Sequence, residues 1–342
     1  MMSILISSTG FASEQCGAAG YYDGSLTKGS SMLREIPRVL RIGIGPHPQP
    51  AAQRASHLRR ASLLLSISRR FTTTTTTTMA QQSPPQAQSQ PNIHLYTAQT
   101  PNGIKVSMLL EELGLPYTVH AIDLTKNEQK EPWFLDDINP NGRIPALTDT
   151  FTDGSQIRLF ESGSIMQYLV ERYDVAHKVS YPKGTREYWE VNNWVLADGR
   201  AGTDAGKQTT LPYAPEKIQY GIDRYQNETR RLYRVMEKQL AKSTSGYLVG
   251  DRCTVADIAC WGWVAASAWA GIKLDKAEFP NLVAWVDRIV ARPGCNKGRH
   301  VPKRHTMLDY WSKSEDEIDR AAEEARGWIQ QSMKEEARLS KV

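Results

Sequence analysis

The chain has 342 residues, 40% of them hydrophobic, with 42 Lys and Arg against 37 Asp and Glu. That length suits about two domains, and no apolar run approaches the ~20 residues that cross a bilayer, so no membrane span is expected. Residues 1–92 hold nine of the basic and three of the acidic residues, which leaves 33 against 34 for residues 93–342. The body is therefore near neutral, and no nucleic-acid partner is expected. Cys16, Cys253, Cys260 and Cys295 include no C-x-x-C pair. They make no disulfide framework and fit a reducing compartment. The histidines do not cluster with them at ligand spacing, so no metal is expected.

Residues 1–91 read as a disordered basic extension. Between Ile36 and Asn92 there are seven Arg and no acidic residue. AAQRASHLRRASLLLSISRRF (51–71) can form a basic, Ser-containing amphipathic helix, followed by seven Thr and a Gln/Pro/Ser linker. That is the composition of a mitochondrial transit peptide plus linker. The alternative is an extension with no address. Met79 opens MAQQSPPQAQSQ and makes a sensible start of its own, which would leave the product cytoplasmic.

The first module, 92–175, opens with IHLYT (93–97), a short buried strand. After Thr-Pro-Asn-Gly, Val106, Leu109, Leu110 and Leu113 recur at helical spacing. Gly114 stands where a helix ends, and Pro116 stops any continuation. YTVHAI (117–122) alternates like a strand, so β-α-β implies a parallel pair. Pro145 precedes a strand-like ALTD, where it blunts the strand edge or takes a cis bond. RLF (158–160) reads as another strand. ESGSIMQYLVERY (161–173) starts a helix with Ser162 as N-cap and Met166, Leu169, Val170 and Tyr173 as its apolar stripe. The module reads β-α-β…β-β-α.

The second module, 183–300, reads as all helix. Ile218, Ile222, Tyr225, Leu232 and Met236 recur at three- and four-residue steps. TVAD (254–257) is a capping box before the apolar helix IACWGWVAA, and Leu282, Trp285, Val286 and Ile289 form a further stripe. Cys253 and Cys260 are expected as packed small hydrophobes. The tail, 301–342, is a charged amphipathic helix with Ile318, Ala322, Ala325 and Ile329 as a thin stripe. It is expected to dock weakly on the body, an interaction arm being the alternative.

LYTAQTPNGIKV, NPNGRIPALTD and LFESGSIMQYL together resemble the thioredoxin-fold domain of cytosolic glutathione transferases. TPNGIKV and APEKIQYGIDRYQNETRRLY narrow the resemblance to the bacterial nu class and the fungal transferases related to the yeast nitrogen-regulator prion protein. It covers about 92–300 and implies a thioredoxin-like domain followed by a helical bundle, with glutathione as co-substrate and a homodimer. Pro145 matches the family's cis-proline and Glu161-Ser162 its acidic-Ser motif. Gln129 and Arg224 match positions that contact glutathione in the nu class. Taken alone, Gln129 is a polar residue in a charged segment and Arg224 belongs to a solvated helix face.

Glutathione needs a partner for its ammonium, two carboxylates and a thiol. Ser162 at a helix start offers free N–H groups to a carboxylate, and Glu161 can pair with the ammonium. The backbone of Ile144, beside Pro145, can pair with an extended peptide. Arg143 either meets the glycyl carboxylate or is a surface loop residue. Strand–turn–helix redox proteins place a cysteine at the turn that here reads Thr100-Pro101-Asn102. The Asn102 amide, the Thr100 hydroxyl and the N–H groups of Asn102 and Gly103 can hold a thiolate brought by the ligand, though Asn102 alone also reads as a helix cap. Tyr96 is expected in the core. The function expected is glutathione-dependent attack on a small electrophile or disulfide, the alternative a non-catalytic regulatory or assembly relative. QQSPPQAQSQ is too short and proline-broken for a prion-like arm.

Overall fold

A computed structural model describes residues 91–210 and 218–339. The basic segment 51–71, the Thr run, the linker and Cys16 lie outside the described residues.

Four strands form one sheet: β1 (Ile93–Thr97), β2 (Tyr117–Ala121), β3 (Ala146–Thr150) and β4 (Gln156–Phe160), in the order β2-β1-β3-β4. β1 and β2 run parallel, joined through helix α1 (Gly103–Leu113), whereas β3 lies antiparallel to both β1 and β4. The parallel pair needs a crossover, which α1 supplies. α2 (Pro132–Asp137) precedes β3, and α3 (Ser162–Tyr173) follows β4. The expected β-α-β…β-β-α order is present, with α2 added.

α1 carries more than its predicted stripe. Ile104, Lys105, Val106, Ser107, Met108, Leu109 and Leu110 are all buried. The helix is a shared wall between the sheet and the helical part of the chain. Close packing explains this: a Cβ on Gly298 would stand 2.4 Å from Met108 Cα, so only glycine lets that segment approach. Gly114 ends α1 at φ 71, its N–H reaching the Glu111 and Leu110 carbonyls.

The second part holds α4 (Arg186–Thr210), α5 (Gln219–Leu240), α6 (Val255–Ala265), α7 (Pro280–Val290) and α8 (Pro293–Gly298), then α9 (Glu315–Leu339). Every residue of α6 is buried. Its capping box closes as expected. The buried Asp257 carboxylate accepts from the N–H groups of Leu248 (2.9 Å) and Thr254 (2.9 Å) and from the Trp285 indole (2.8 Å). The stripe expected on α5 holds in part: Met236 is buried and Ile222, Tyr225 and Leu232 are half-buried. Its buried face is Thr229, Tyr233, Met236 and Leu240, whereas Ile218 precedes the helix and is exposed. The stripe of α7 is buried as read, and Cys253 and Cys260 are packed inside. On α9, Ile318 and Ala322 pack against Trp263, Trp269, Met307 and Tyr310.

Candidate functional site

Strand register brings the candidate segments together. Tyr96 pairs with Ala146, and Ala146 with Phe160, so three strands end abreast. Immediately beyond lie the Thr100–Asn102 turn, Ile144–Pro145 and Glu161–Ser162. At ~4.8 Å between strands, the three span about 10 Å, the reach of an extended tripeptide.

At the turn, the Thr100 hydroxyl oxygen accepts from the Gly103 N–H (3.0 Å), and the Thr100 carbonyl accepts from Ile104 (3.1 Å). Thr100 thus performs the capping that was one reading of Asn102. It also corrects the expectation that the Gly103 N–H is free for a ligand. A Cβ on Gly103 would stand 2.2 Å from the Ala98 carbonyl oxygen, so this tight turn requires glycine. The Asn102 side chain makes no cap bond; its Oδ1 accepts from Lys105 Nζ at 2.9 Å. Lys105 is 2% exposed and also pairs with Asp198 of α4. An ammonium only donates, so Asn102 Oδ1 must face it and the Asn102 NH₂ is turned away. Burial pushes the Asp198 carboxyl up, and Lys105 pulls it back.

The Ile144–Pro145 peptide is cis. Neither the N–H nor the C=O of Ile144 has a partner among the described residues. The Asn139 amide donates to the Arg143 carbonyl at 2.8 Å and shapes the loop before it. Gln129 is 3% exposed, with its Oε1 unpartnered among the described residues. Its carbonyl would stand 3.1 Å from a Cβ on Gly142, which puts it behind the Arg143 loop.

α3 begins at Ser162 itself, which corrects its assignment as N-cap: Glu161 holds that place, at φ 66, without a side-chain cap bond. The Glu161 carbonyl takes the Ile165 N–H. The N–H groups of Ser162, Gly163 and Ser164 therefore stand at the helix start without intrahelical partners. The Glu161 carboxylate accepts from the Asn141 amide at 3.4 Å. Arg224 is exposed on α5 and shares no hydrogen bond or ion pair with these groups. Tyr96 packs with His120, Trp133 and Phe134, as expected of a core residue.

A cavity of about 60 Å³ opens beside Thr100 and Pro101, with His305 in its wall. Trp269 and Tyr310 separate it from a larger one of about 410 Å³, walled by α9, the start of α5 and the α6–α7 connection. Cys253, Cys260 and Cys295 are all free and buried, and none belongs to the turn itself.

Residues 101–172 match the glutathione S-transferase N-terminal domain family, and residues 205–293 match its C-terminal domain family. The chain is 40% identical over 208 residues to the disulfide-bond oxidoreductase YfcG of Escherichia coli, covering 59% of this chain and 91% of that protein. The chain belongs to the glutathione transferase family.

Solved members of the family superpose on this chain. A glutathione transferase homologue from Lodderomyces elongisporus, solved with two glutathione molecules per subunit, is 43% identical with a TM-score of 0.59, covering 62% of this chain and 99% of that one. The transferase URE2P8 of Phanerochaete chrysosporium, solved with oxidised glutathione, is 32% identical with a TM-score of 0.57, covering 62% and 95%. In the present chain, sequence reasoning missed Lys105 and Asp198. One signal was available, since Lys105 interrupts an apolar run three residues after Asn102, one helical turn away. Nothing in the sequence points to Asp198, because it reaches the site from another helix. His305 likewise arrives from a connection after α8. Among the described residues, no group of three or more His, Cys, Asp or Glu is placed to hold a metal.

Proposed function

We propose that this transferase binds glutathione along the Ile144 edge, holds its sulfur as a thiolate at Thr100–Asn102 and delivers it to a disulfide or electrophile. The observation that carries the reading is the Asn102 amide. Its oxygen is engaged by Lys105, which leaves its two N–H donors for another acceptor, at the sheet end shared with Ile144 and Glu161. A free thiol titrates near ~8.5, and lowering that by two units takes ~2.7 kcal/mol. Hydrogen bonds to a charged group supply ~1.5–3 kcal/mol each. The Thr100 hydroxyl accepts from Gly103 and keeps its own proton to donate.

The remaining groups hold the amino-acid end. The α3 N–H groups and positive helix end suit the γ-glutamyl carboxylate, and Glu161 its ammonium. Arg143 suits the glycyl carboxylate. Gln129, buried behind that loop, supports its shape. Arg224 has no role in this reading of one chain.

Disulfide reduction is the favoured chemistry. The bound thiolate attacks one sulfur of a disulfide, forming a mixed disulfide and releasing the other sulfur as a thiolate that takes a proton from water. A second glutathione thiolate then attacks the mixed disulfide, giving oxidised glutathione and a second free thiol. No described cysteine serves as nucleophile, so both reducing equivalents come from glutathione. The larger cavity, which shares Trp269 and Tyr310 with the small one beside Thr100, gives room for the second molecule. Lys273 and Lys313 in the larger wall offer charge to a carboxylate.

Retention on immobilised glutathione, then turnover of bis-hydroxyethyl disulfide and chlorodinitrobenzene, tests the reading. Retention with disulfide turnover supports it, and retention without any turnover supports a non-catalytic relative. A homodimer belongs to the same proposal. Trp189 (63% exposed) and Leu196 (73% exposed) leave apolar surface along α4, and sedimentation as a single-chain species overturns it. For the full chain we propose mitochondrial import, and cytoplasmic residence for a product started at Met79. Fluorescent fusions from each start test this.

A further inference from the structure

We propose that the buried Lys105–Asp198 ion pair is a positioning device that fixes which end of the Asn102 amide faces the bound sulfur. The inference rests on the glutathione-thiolate reading of this site and adds two residues to it.

An asparagine side chain is nearly symmetric in shape and opposite in chemistry at its two ends. Turned one way it offers two donors to a thiolate; turned the other, it offers a carbonyl oxygen that repels it. Nothing at the turn itself decides, because Thr100 has taken the helix-capping role and the Asn102 side chain makes no cap bond. Lys105 decides. Its Nζ lies 2.9 Å from Asn102 Oδ1 and can only donate.

Lys105 is in turn held. It is 2% exposed, and a lysine is fully buried only when its charge is partnered. The partner is Asp198 Oδ2, from α4, with the Trp263 ring 6.0 Å from the ammonium on another side. The second carboxylate oxygen of Asp198 has no partner among the described residues. A pair desolvated so completely is a poor stabiliser. A strictly oriented donor at a charge-bearing turn is what it supplies instead. The arrangement also crosses the molecule: Lys105 lies on the helix that follows the turn, and Asp198 on the helical part packed against it. The helical part thereby sets the electrostatics of a turn in the sheet-bearing part.

The test reads the thiol pKa of bound glutathione from its ultraviolet thiolate absorbance. Lys105→Met combined with Asp198→Leu removes both charges and leaves no lone buried ion. It is expected to raise the bound thiol pKa by about one unit, which from about 6.5 cuts the thiolate fraction, and with it turnover at pH 7, about threefold, with glutathione affinity little changed. With Asn102→Ala already present, the same pair is expected to have no further effect, since the ion pair acts through that amide. Asp198→Asn, nearly isosteric, gives a second reading should the double variant fail to fold: a smaller rise, again absent beside Asn102→Ala. An unshifted thiol pKa in folded, glutathione-bound variants overturns the proposal. So does an equal shift with and without Asn102. If the unaltered protein fails to bind glutathione, the functional reading itself falls.

Discussion

Gly262 of α6 lies directly against Pro101: a Cβ on it would stand 2.6 Å from the Pro101 carbonyl oxygen. The floor of the Thr100–Asn102 turn is therefore a helix from the other part of the chain. Gly262→Ala must push that backbone away. Displacing a positioned group by about 1 Å can cost about a hundredfold in rate. The expected outcome is a folded protein with at least tenfold lower kcat/KM, read by turnover beside circular dichroism. An unchanged rate would show that the turn tolerates the shift.

Asn102→Ala removes the two donors proposed for the thiolate. The loss expected is about 3- to 25-fold in turnover at pH 7, the fall in thiolate when a thiol pKa near 6.5 rises by one to two units. The melting temperature should hold, because the helix start is capped by Thr100 rather than by Asn102.

Glu161 sits at φ 66, ψ 117, a conformation that costs a non-glycine residue about 1–3 kcal/mol. Glu161→Gly relieves that strain against about 0.5–1 kcal/mol of added chain entropy. The variant should therefore melt at the same or a higher temperature while binding glutathione about tenfold more weakly. Calorimetry of both properties checks it, and an unchanged affinity would remove Glu161 from the site.

Burial, with the Arg299 and His300 charges behind it, pushes His305 down to about 3. The unfolded chain keeps a value near 6.5. Between those limits the unfolded state binds a proton that the native state refuses. The stability contribution is complete above about 6.5 and is lost as pH falls toward 3, at up to about 1.4 kcal/mol per pH unit. His305→Phe keeps a ring against Trp261 and abolishes this titration. Its melting temperature should gain on that of the parent steadily as pH is lowered from 7 to 4.

Asp257→Ala strips the partner from two backbone N–H groups and the Trp285 indole, all buried. Each orphaned group costs about 1–3 kcal/mol. A loss above about 3 kcal/mol is expected in denaturant unfolding, with poor yield of folded protein.

The sheet and most helices were legible because their signals are local. Val106, Leu109 and Leu110 repeat at helical spacing, Gly114 ends the helix in a conformation glycine prefers, and Thr254-x-x-Asp257 caps α6 within four residues. The errors arise where local and tertiary signals compete. Ser162 reads as a cap, but Glu161 takes the sharp turn and Ser162 becomes the first helical residue. On α5 the apolar repeat includes Ile218, which lies exposed before the helix, while packing buries Met236 of that repeat together with Tyr233 outside it. Of the site, Thr100, Asn102, Ile144 and Glu161 were legible as motifs. Their supports were not: Lys105 looked like a stray charge in an apolar run, and Asp198 and His305 are brought near only by folding.

The three described cysteines are sealed inside the protein, and none lies at the turn where related folds keep one. An alkylating agent in solution thus finds no cysteine of the protein at this turn. On the proposed reading, the thiol it meets there arrives with a small molecule and departs with it. Such a site would be renewed by simple exchange, without any reductase or new synthesis to restore it.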